Sequence, residues 1–436
     1  MAGIGHVVLL DLGERERIGN VTYNASVTRP PESLANPRLW LAFTTMLLVS
    51  GFPNVYILFL PSLLREFHAS RAATVLPMSF VFFGGAVLGP AAGWLVARRN
   101  PRMVVMTGLG AAACGLALGG VAHSLPVFVA SVGIAVGVGL GLTSLSTQAA
   151  LLADAYSRRR GVAMGIAFSG AMAAFVLGPV TQRIIDGFGW RAAFGCYAAA
   201  LLVLVPVAWR VLPSRLGKRA PALDGASDPA LDKAPERPVA AIVLSAPFWS
   251  LLVLFSVPPL FGFLAITQHA IYFPARGMSV YESSMMLAVG GVLAAFGRVL
   301  AGMAADRFGA PVAGIVSFSS SMIGVLCLLA MEAWPARLLA YGYVLFLFTP
   351  LGSRATIVSV LLSRIAGPRN YGPVFGLIGI GNSLGGAAGP WLSGAIFDRT
   401  HSYLALYLVT LGFAAVGLAA LAVFLLTTRP RAWPGG

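Results

Sequence analysis

The sequence predicts an all-α integral membrane protein with twelve transmembrane helices in two six-helix pseudo-repeats. Three observations carry this: the composition, the number of long apolar runs, and glycines that recur across the middle of the chain. Of 436 residues, 58% are hydrophobic and only 10% charged, with a mean hydropathy of +0.83, whereas a soluble domain carries about a quarter charged residues. About 20 apolar residues cross a hydrocarbon core as a helix. Twelve runs of that length occur, at 39–64, 73–97, 103–122, 126–153, 161–186, 191–212, 247–273, 283–305, 311–331, 338–363, 372–397 and 403–427. Their Gly and Pro content fits helices packed closely on neighbours. The ten-residue alternation of a membrane barrel is absent.

Along the chain, residues 1–37 are polar and lack a basic segment followed by an apolar one, so they are read as a cytoplasmic tail, expected to be disordered. Residues 38–212 hold six spans and form the expected N-terminal bundle. Residues 213–246, which begin PSRLGKRAPALDGASDPALDKAPERP, are the one long polar interruption and read as a cytoplasmic linker. Residues 247–428 hold the second six spans, and 429–436 are a short cytoplasmic tail.

The net charge is +15, and its distribution gives its meaning. Arg98, Arg99 and Arg102 follow the second span, Arg158 to Arg160 the fourth, and Arg210, Arg215, Lys218, Arg219, Lys233 and Arg237 surround the join of the sixth and seventh. Arg307, Arg364, Arg369, Arg429 and Arg431 follow the eighth, tenth and twelfth. These all share one side if the spans alternate, and the opposite loops hold fewer: Arg65, Arg71, Arg183, Arg191, Arg276, Arg337 and Arg399. The positive-inside rule then places both termini in the cytoplasm. The basic excess is a topology signal, and no nucleic-acid partner is expected. Two lysines against 28 arginines, with abundant Ala and Gly, point to a GC-rich bacterial genome and an inner (plasma) membrane. Cys114, Cys196 and Cys327 sit singly in separate spans, so no disulfide framework or metal site is expected.

The two halves repeat each other. Gly165, Gly170, Gly178 and Pro179 in the fifth span recur as Gly376, Gly381, Gly389 and Pro390 in the eleventh, each displaced by 211 residues. Arg158 and Gly161 recur as Arg369 and Gly372 at the same displacement. Gly93 to Arg99, ending the second span, recurs at a displacement of 209 as Gly302 to Phe308. The glycines of spans five and eleven are read as close-packing positions.

Two parallel six-helix repeats joined by a cytoplasmic loop resemble the major facilitator superfamily over 38–428. The loop after span two in that family reads G-x-L-x-D-R-x-G-R-[RK]. The second copy here keeps Gly302, Asp306, Arg307 and Gly309, while the first, GWLVARRNPR, has Ala97 for the aspartate and Asn100 for the glycine. Within the superfamily, PSLLREFHASRA (61–72), SRRRGVAMGIAFSG (157–170), GFGWRAAF (187–194) and FGRVLAGMAADRFG (296–309) are similar to the monocarboxylate transporter and oxalate–formate antiporter branch. The resemblance implies alternating access, with an arginine of span eight holding a substrate carboxylate. It also implies a clasp of helix ends at Gly93, Arg98, Arg102, Gly302, Asp306 and Arg307 when the cytoplasmic side is shut. Asp154 and Arg158 have i, i+4 spacing and fit a pair along one helix end; alternatively, Asp154 compensates for Ala97 by meeting Arg98 or Arg102.

Arg298 lies eight residues before Asp306, about 12 Å inside its helix end, and Arg354 ten before Arg364, about 15 Å in. An arginine near a helix centre costs roughly 2.5–3.5 kcal/mol to insert and should face a cavity or partner. Subtracting 211 from Arg354 gives Thr143, so that charge is particular to the second half. A guanidinium binds a carboxylate through two parallel hydrogen bonds. Arg298 is therefore the expected carboxylate contact, with Arg354 as a second contact or as a field in the cavity. The competing reading is that either side chain snorkels to the interface or caps backbone carbonyls.

The branch pairs its arginine with an aspartate four residues earlier, which is Ala294 here, and its lysine in span one has no match in GFPNVY (51–56), so proton coupling through that pair is not expected. His269 is the remaining titratable candidate for coupling, with a reference pKa of about 6.5. Asn54, Tyr56, Thr143, Gln148, Gln268, Tyr272 and Asn382 are the other polar candidates for the substrate cavity, and interhelical hydrogen bonding would also explain each.

No G-x-x-x-x-G-K-[ST] occurs for a primary pump, and no H-E-x-x-H or nucleophile–base set for an enzyme. The expected function is a secondary active transporter of a small organic anion, a mono- or dicarboxylate, with a co-transported proton or counter-anion. It is expected to sit in the lipid bilayer as a monomer without a cofactor. The alternative is an efflux pump for apolar or drug-like compounds. Such a pump is expected to carry a membrane-embedded acid, and Asp154, Asp186, Asp306 and Asp398 are all near span ends.

Overall fold

A segment surrounded by lipid must bond its own backbone, as a helix or in a closed barrel. The computed structural model describes residues 34–98, 100–156, 160–215 and 238–428, and among them takes the first option throughout. The long helices are α1 Pro37–Tyr56, α2 Arg71–Arg98, α3 Pro101–Gly120, α4 Leu125–Ala155, α5 Val162–Phe188 and α6 Trp190–Val211, then α7 Ala246–Tyr272, α8 Val280–Phe308, α9 Ala310–Ala333, α10 Arg337–Leu362, α11 Pro368–Thr400 and α12 Tyr403–Thr427. Eleven include a stretch long and apolar enough to cross a membrane. The other, α11, runs 33 residues, but eight glycines and Asn382 make it less apolar. The first apolar run is shorter than expected: α1 ends at Tyr56 and a separate helix covers Leu60–Phe67. The N-terminal tail and most of the linker lie outside the described residues, apart from a short helix at Val239–Val243.

The turn after α8 runs through Gly309 at φ 86°, a backbone region that favours glycine. The corresponding turn after α2 has Asn100 at φ −79°, ψ 105°. The departure from the family motif at position 100 is thus matched by a different backbone path that any residue can take.

The helices pair in the same way in each half. Within the first, α1 packs on α5, α2 on α4 and α3 on α6; within the second, α7 packs on α11, α8 on α10 and α9 on α12. Both α4 and α10 are irregular at equivalent places. Wide-turn helix at Val129–Val136 and Val344–Phe348 is followed by breaks at Thr143–Ser144 and Thr349–Ser353. Such segments often mark functional positions. Thr143 and Arg354, which the repeat equates, both stand at these breaks.

Two crossings join the halves, α2 with α11 and α5 with α8. At the first, the Phe82 ring lies against Gly386, where a Cβ would come within 3.1 Å, and 5.0 Å from the Phe263 ring. At the second, Phe175 lies against Gly291 and 5.4 Å from the Phe348 ring. The repeat equates Phe82 with Gly291 and Phe175 with Gly386. The first half therefore supplies both rings and the second half both hollows. Past these contacts, toward the end where α2 finishes, Gly165, Gly302, Gly376 and Gly379 have no neighbour within 4 Å of an added Cβ. The halves meet at the end where α2 begins, and α5, α8 and α11 part toward the other. Gly170 and Gly381 do the close packing expected of them, on α1 and α7, whereas Gly165 and Gly376 do not.

A methyl group at Gly297 would overlap the Thr349 carbonyl, while one at Gly412 would meet nothing within 4 Å. Gly412→Ala should be neutral or stabilising by up to about 1 kcal/mol, and Gly297→Ala should lower the thermal unfolding midpoint in detergent. Equal midpoints would show that α8 and α10 do not need this approach.

Candidate functional site

Arg298 follows Gly291 by seven residues on α8, so it lies on the same face, about 10 Å further along. That places it two turns from the Phe175 contact, toward the end where the halves part. The side chain is half-buried. Its Nε donates to the Gly352 carbonyl at 3.2 Å and, among the described residues, it makes no other hydrogen bond. Gly352 lies in the broken stretch of α10, where a Cβ would press on the Ala294 carbonyl at 2.6 Å. The guanidinium is thus anchored at Nε, and its two terminal amino groups are available for paired hydrogen bonds to a carboxylate.

Arg354 differs from its expectation. It opens the helix Arg354–Leu362 and is only 3% exposed. Nη2 donates to the Ser321 hydroxyl, and the guanidinium lies 4.8 Å from the Phe261 ring centre and 5.0 Å from that of Phe318. Nε and Nη1 have no partner, and the void beside them, lined by Leu254, Gly314, Ile357 and Val358, has no room for water. Rather than facing the gap between the halves, Arg354 is held inside the second half between α7, α9 and α10. Each unpaired N–H costs about 1–3 kcal/mol, and a desolvated cation–π contact offsets about 2 kcal/mol.

The remaining candidates do not converge on Arg298. His269, expected in the cavity, is buried in the second half, with Nε2 at 2.9 Å from the Ser283 carbonyl and Nδ1 at 3.5 Å from the Tyr343 hydroxyl. Phe273 lies edge-on to it at 4.6 Å. It is a hydrogen-bonded packing residue here. Tyr272 donates to Glu332 at 2.8 Å, beside the Arg276–Glu332 ion pair at 2.6 Å. Tyr56 donates to the Thr74 carbonyl at 2.7 Å. Thr143 caps its own helix through the Gly139 carbonyl at 2.7 Å, and Gln148 donates to the Thr143 carbonyl at 3.3 Å. Asn54 joins α1 to the Ala171 carbonyl of α5 at 2.9 Å, and Asn382 joins α11 to the Phe255 carbonyl of α7 at 3.0 Å. These two tie the equivalent helix pair in each half. Gln268 belongs to a contact between the halves, described below.

Of the expected clasp, Gly93 brings α2 close to Ser146 of α4, at 3.1 Å for an added Cβ. Arg102 donates to the Leu212 carbonyl at 3.0 and 2.8 Å and stacks 4.7 Å from the Trp209 ring, so it does not meet Asp154. Asp154 instead pairs with Arg38 of α1 at 3.0 Å. Arg307 is exposed beside the Phe308 ring. Arg158 and the Asp306 side chain lie outside the described residues. Sequence reasoning missed the pair Arg71 and Asp398. In the sequence both are charges at span ends; Arg71 falls within the 61–72 stretch, but nothing in that stretch points to Asp398.

Paired six-helix halves of membrane-spanning length, joined at glycine crossings, are the build of a membrane transporter. Residues 39–353 match the family model of the Major Facilitator Superfamily, and the chain belongs to that superfamily. It is a transporter related to monocarboxylate transporters. It is 30% identical to monocarboxylate transporter 11 of Mus musculus over 86% of this chain and 83% of that one. It is 27% identical to monocarboxylate transporter 13 of Bos taurus over 75% and 74% respectively. Among solved structures, a bacterial homologue of the human lysosomal transporter Spinster, inward-facing and occupied, shares the fold with a TM-score of 0.69 at 18% identity, covering 90% of this chain and 96% of that one. The D-xylose-proton symporter gives 0.69 at 17% identity, covering 90% and 98%.

Because the Arg354 charge is buried without an acid beside it, Arg354→Met should raise the thermal midpoint of the purified protein. Replacing a buried charge by an apolar group of similar volume is often stabilising. A lower midpoint would show that the guanidinium has a stronger partner than Ser321.

Proposed function

We propose that the protein is a secondary active transporter of a small organic anion, a mono- or dicarboxylate, working by alternating access between its two halves. Arg298 is the carboxylate contact. The observation that carries this is the state of that side chain: it is fixed through Nε to Gly352 and presents two unbonded terminal amino groups near the crossing of the halves. Its relatives are monocarboxylate transporters 11 and 13, which agrees with an anionic solute of this size. The arginine-rich end, with Arg98, Arg102, Arg210, Arg215, Arg307 and Arg364, faces the bacterial cytoplasm together with both termini. On that orientation the arrangement is the inward-open one, in which a solute reaches Arg298 from the cytoplasm.

Uptake of radiolabelled short-chain carboxylates into proteoliposomes is the test. Arg298→Ala should lower kcat/KM at least about 30-fold, as expected when a carboxylate loses a hydrogen-bonded cation. Arg298→Lys should recover part of the activity, because it keeps the charge and loses the two-pronged geometry. Uptake by Arg298→Ala within about 3-fold of the parent removes the assignment.

A further inference from the structure

At the end where α2 begins, the halves share a contact that neither can make alone. The first turn of a helix leaves backbone N–H groups without partners, and in α2 they are divided between the halves. Ser70, just before the helix, accepts from the Ala73 N–H at 3.2 Å. Asp398, near the end of α11, accepts from the N–H groups of Arg71 at 3.0 Å and Ala72 at 2.8 Å, one on each carboxylate oxygen. The Arg71 side chain runs into the second half, where Nη1 donates to Gln268 at 2.6 Å and to the Tyr403 hydroxyl at 2.9 Å. Its guanidinium lies 3.5 Å from the Phe397 ring centre. Gly394, one turn before Asp398, lets the helix ends approach, since a Cβ there would lie 2.5 Å from the Ala72 nitrogen.

The internal repeat supplies a comparison. The crossing of α5 with α8 is the symmetry mate of this one, and there Gly187 stands for Asp398 and Val280 for Arg71. That crossing has an exposed Arg183–Tyr281 hydrogen bond of 3.2 Å, and α8 is capped by its own Ser279 at 3.0 Å. The charged cap is therefore confined to one of two equivalent crossings and is not a by-product of the repeat.

We propose that Asp398, capping α2 from the other half, is the latch that holds this end closed, with Arg71 as its second arm. A carboxylate at a helix N-terminus is favoured both by the orphan N–H groups and by the helix dipole. When the halves separate here, two N–H groups, a carboxylate and a guanidinium lose their partners together, so the latch sets the ratio of the two access states. This rests on the alternating-access part of the proposed function and is independent of which solute is carried.

The test uses the full chain in lipid nanodiscs, with Cys114, Cys196 and Cys327 replaced by alanine and spin labels at Ala69→Cys and Thr400→Cys. Pulsed electron resonance reads the distance across the latch. The parent should show mostly the short distance. Asp398→Ala should enlarge the long-distance population about 2- to 30-fold, the range for loss of a helix cap, and Arg71→Met, which removes the hydrogen bonds to Gln268 and Tyr403, should enlarge it as well. A distribution unchanged in both variants overturns the latch. A shift in either variant, together with no carboxylate uptake by the parent, supports the latch and removes the solute assignment instead.

Discussion

Helices in lipid gain little from the hydrophobic effect when they touch, because the tails around them are as apolar as their side chains; close backbone approach must do that work. The whole arrangement depends on this constraint. Gly170 lets α5 reach the Phe43 carbonyl of α1, Gly381 lets α11 reach Ser256 of α7, and Gly297 lets α8 reach Thr349 of α10. These contacts build each half. Gly291 and Gly386 join the halves, by receiving Phe175 and Phe82. The proposed carboxylate contact inherits its geometry from the same source, since Arg298 is adjacent to Gly297 and anchored to Gly352, both at the crowded meeting of α8 and α10.

Much of the fold was legible in the sequence because its determinants are local. Apolar run length, arginine position and the 211-residue spacing of glycines need no knowledge of contacts. The ends of elements were less legible, as at residues 57–59, where one apolar run covers a helix, a turn and a second helix. Intramembrane charge singles out Arg298 and Arg354, but not the direction of either side chain. Arg354 lies between Phe261 and Phe318 in the first turn of the helix that follows the break at Thr349–Ser353, and hydropathy carries no trace of that break. The polar residues His269, Tyr272, Asn54 and Asn382 were legible as buried and polar, but whether they face a cavity or a neighbouring carbonyl depends on helix rotation. Asp398 and Arg71 were illegible for another reason: they lie 327 residues apart, and their interaction is through backbone groups that no residue pattern encodes.

Arg298 and Arg354 flank the same break in α10 and have opposite surroundings. One is half-buried and tied by a single hydrogen bond. The other is enclosed by aromatic rings, with two of its donors idle.

The bulky partners at both inter-half crossings come from the first half, and this constrains how such a protein could be assembled from duplicated parts. A molecule built from two copies of residues 38–212 would bring Phe82 against Phe175 twice, where each ring now rests on a bare α-carbon. Two copies of residues 247–428 would set Gly291 opposite Gly386 and leave a gap at both places. The two pseudo-repeats are therefore lock and key rather than twins, and each has lost the ability to stand in for the other.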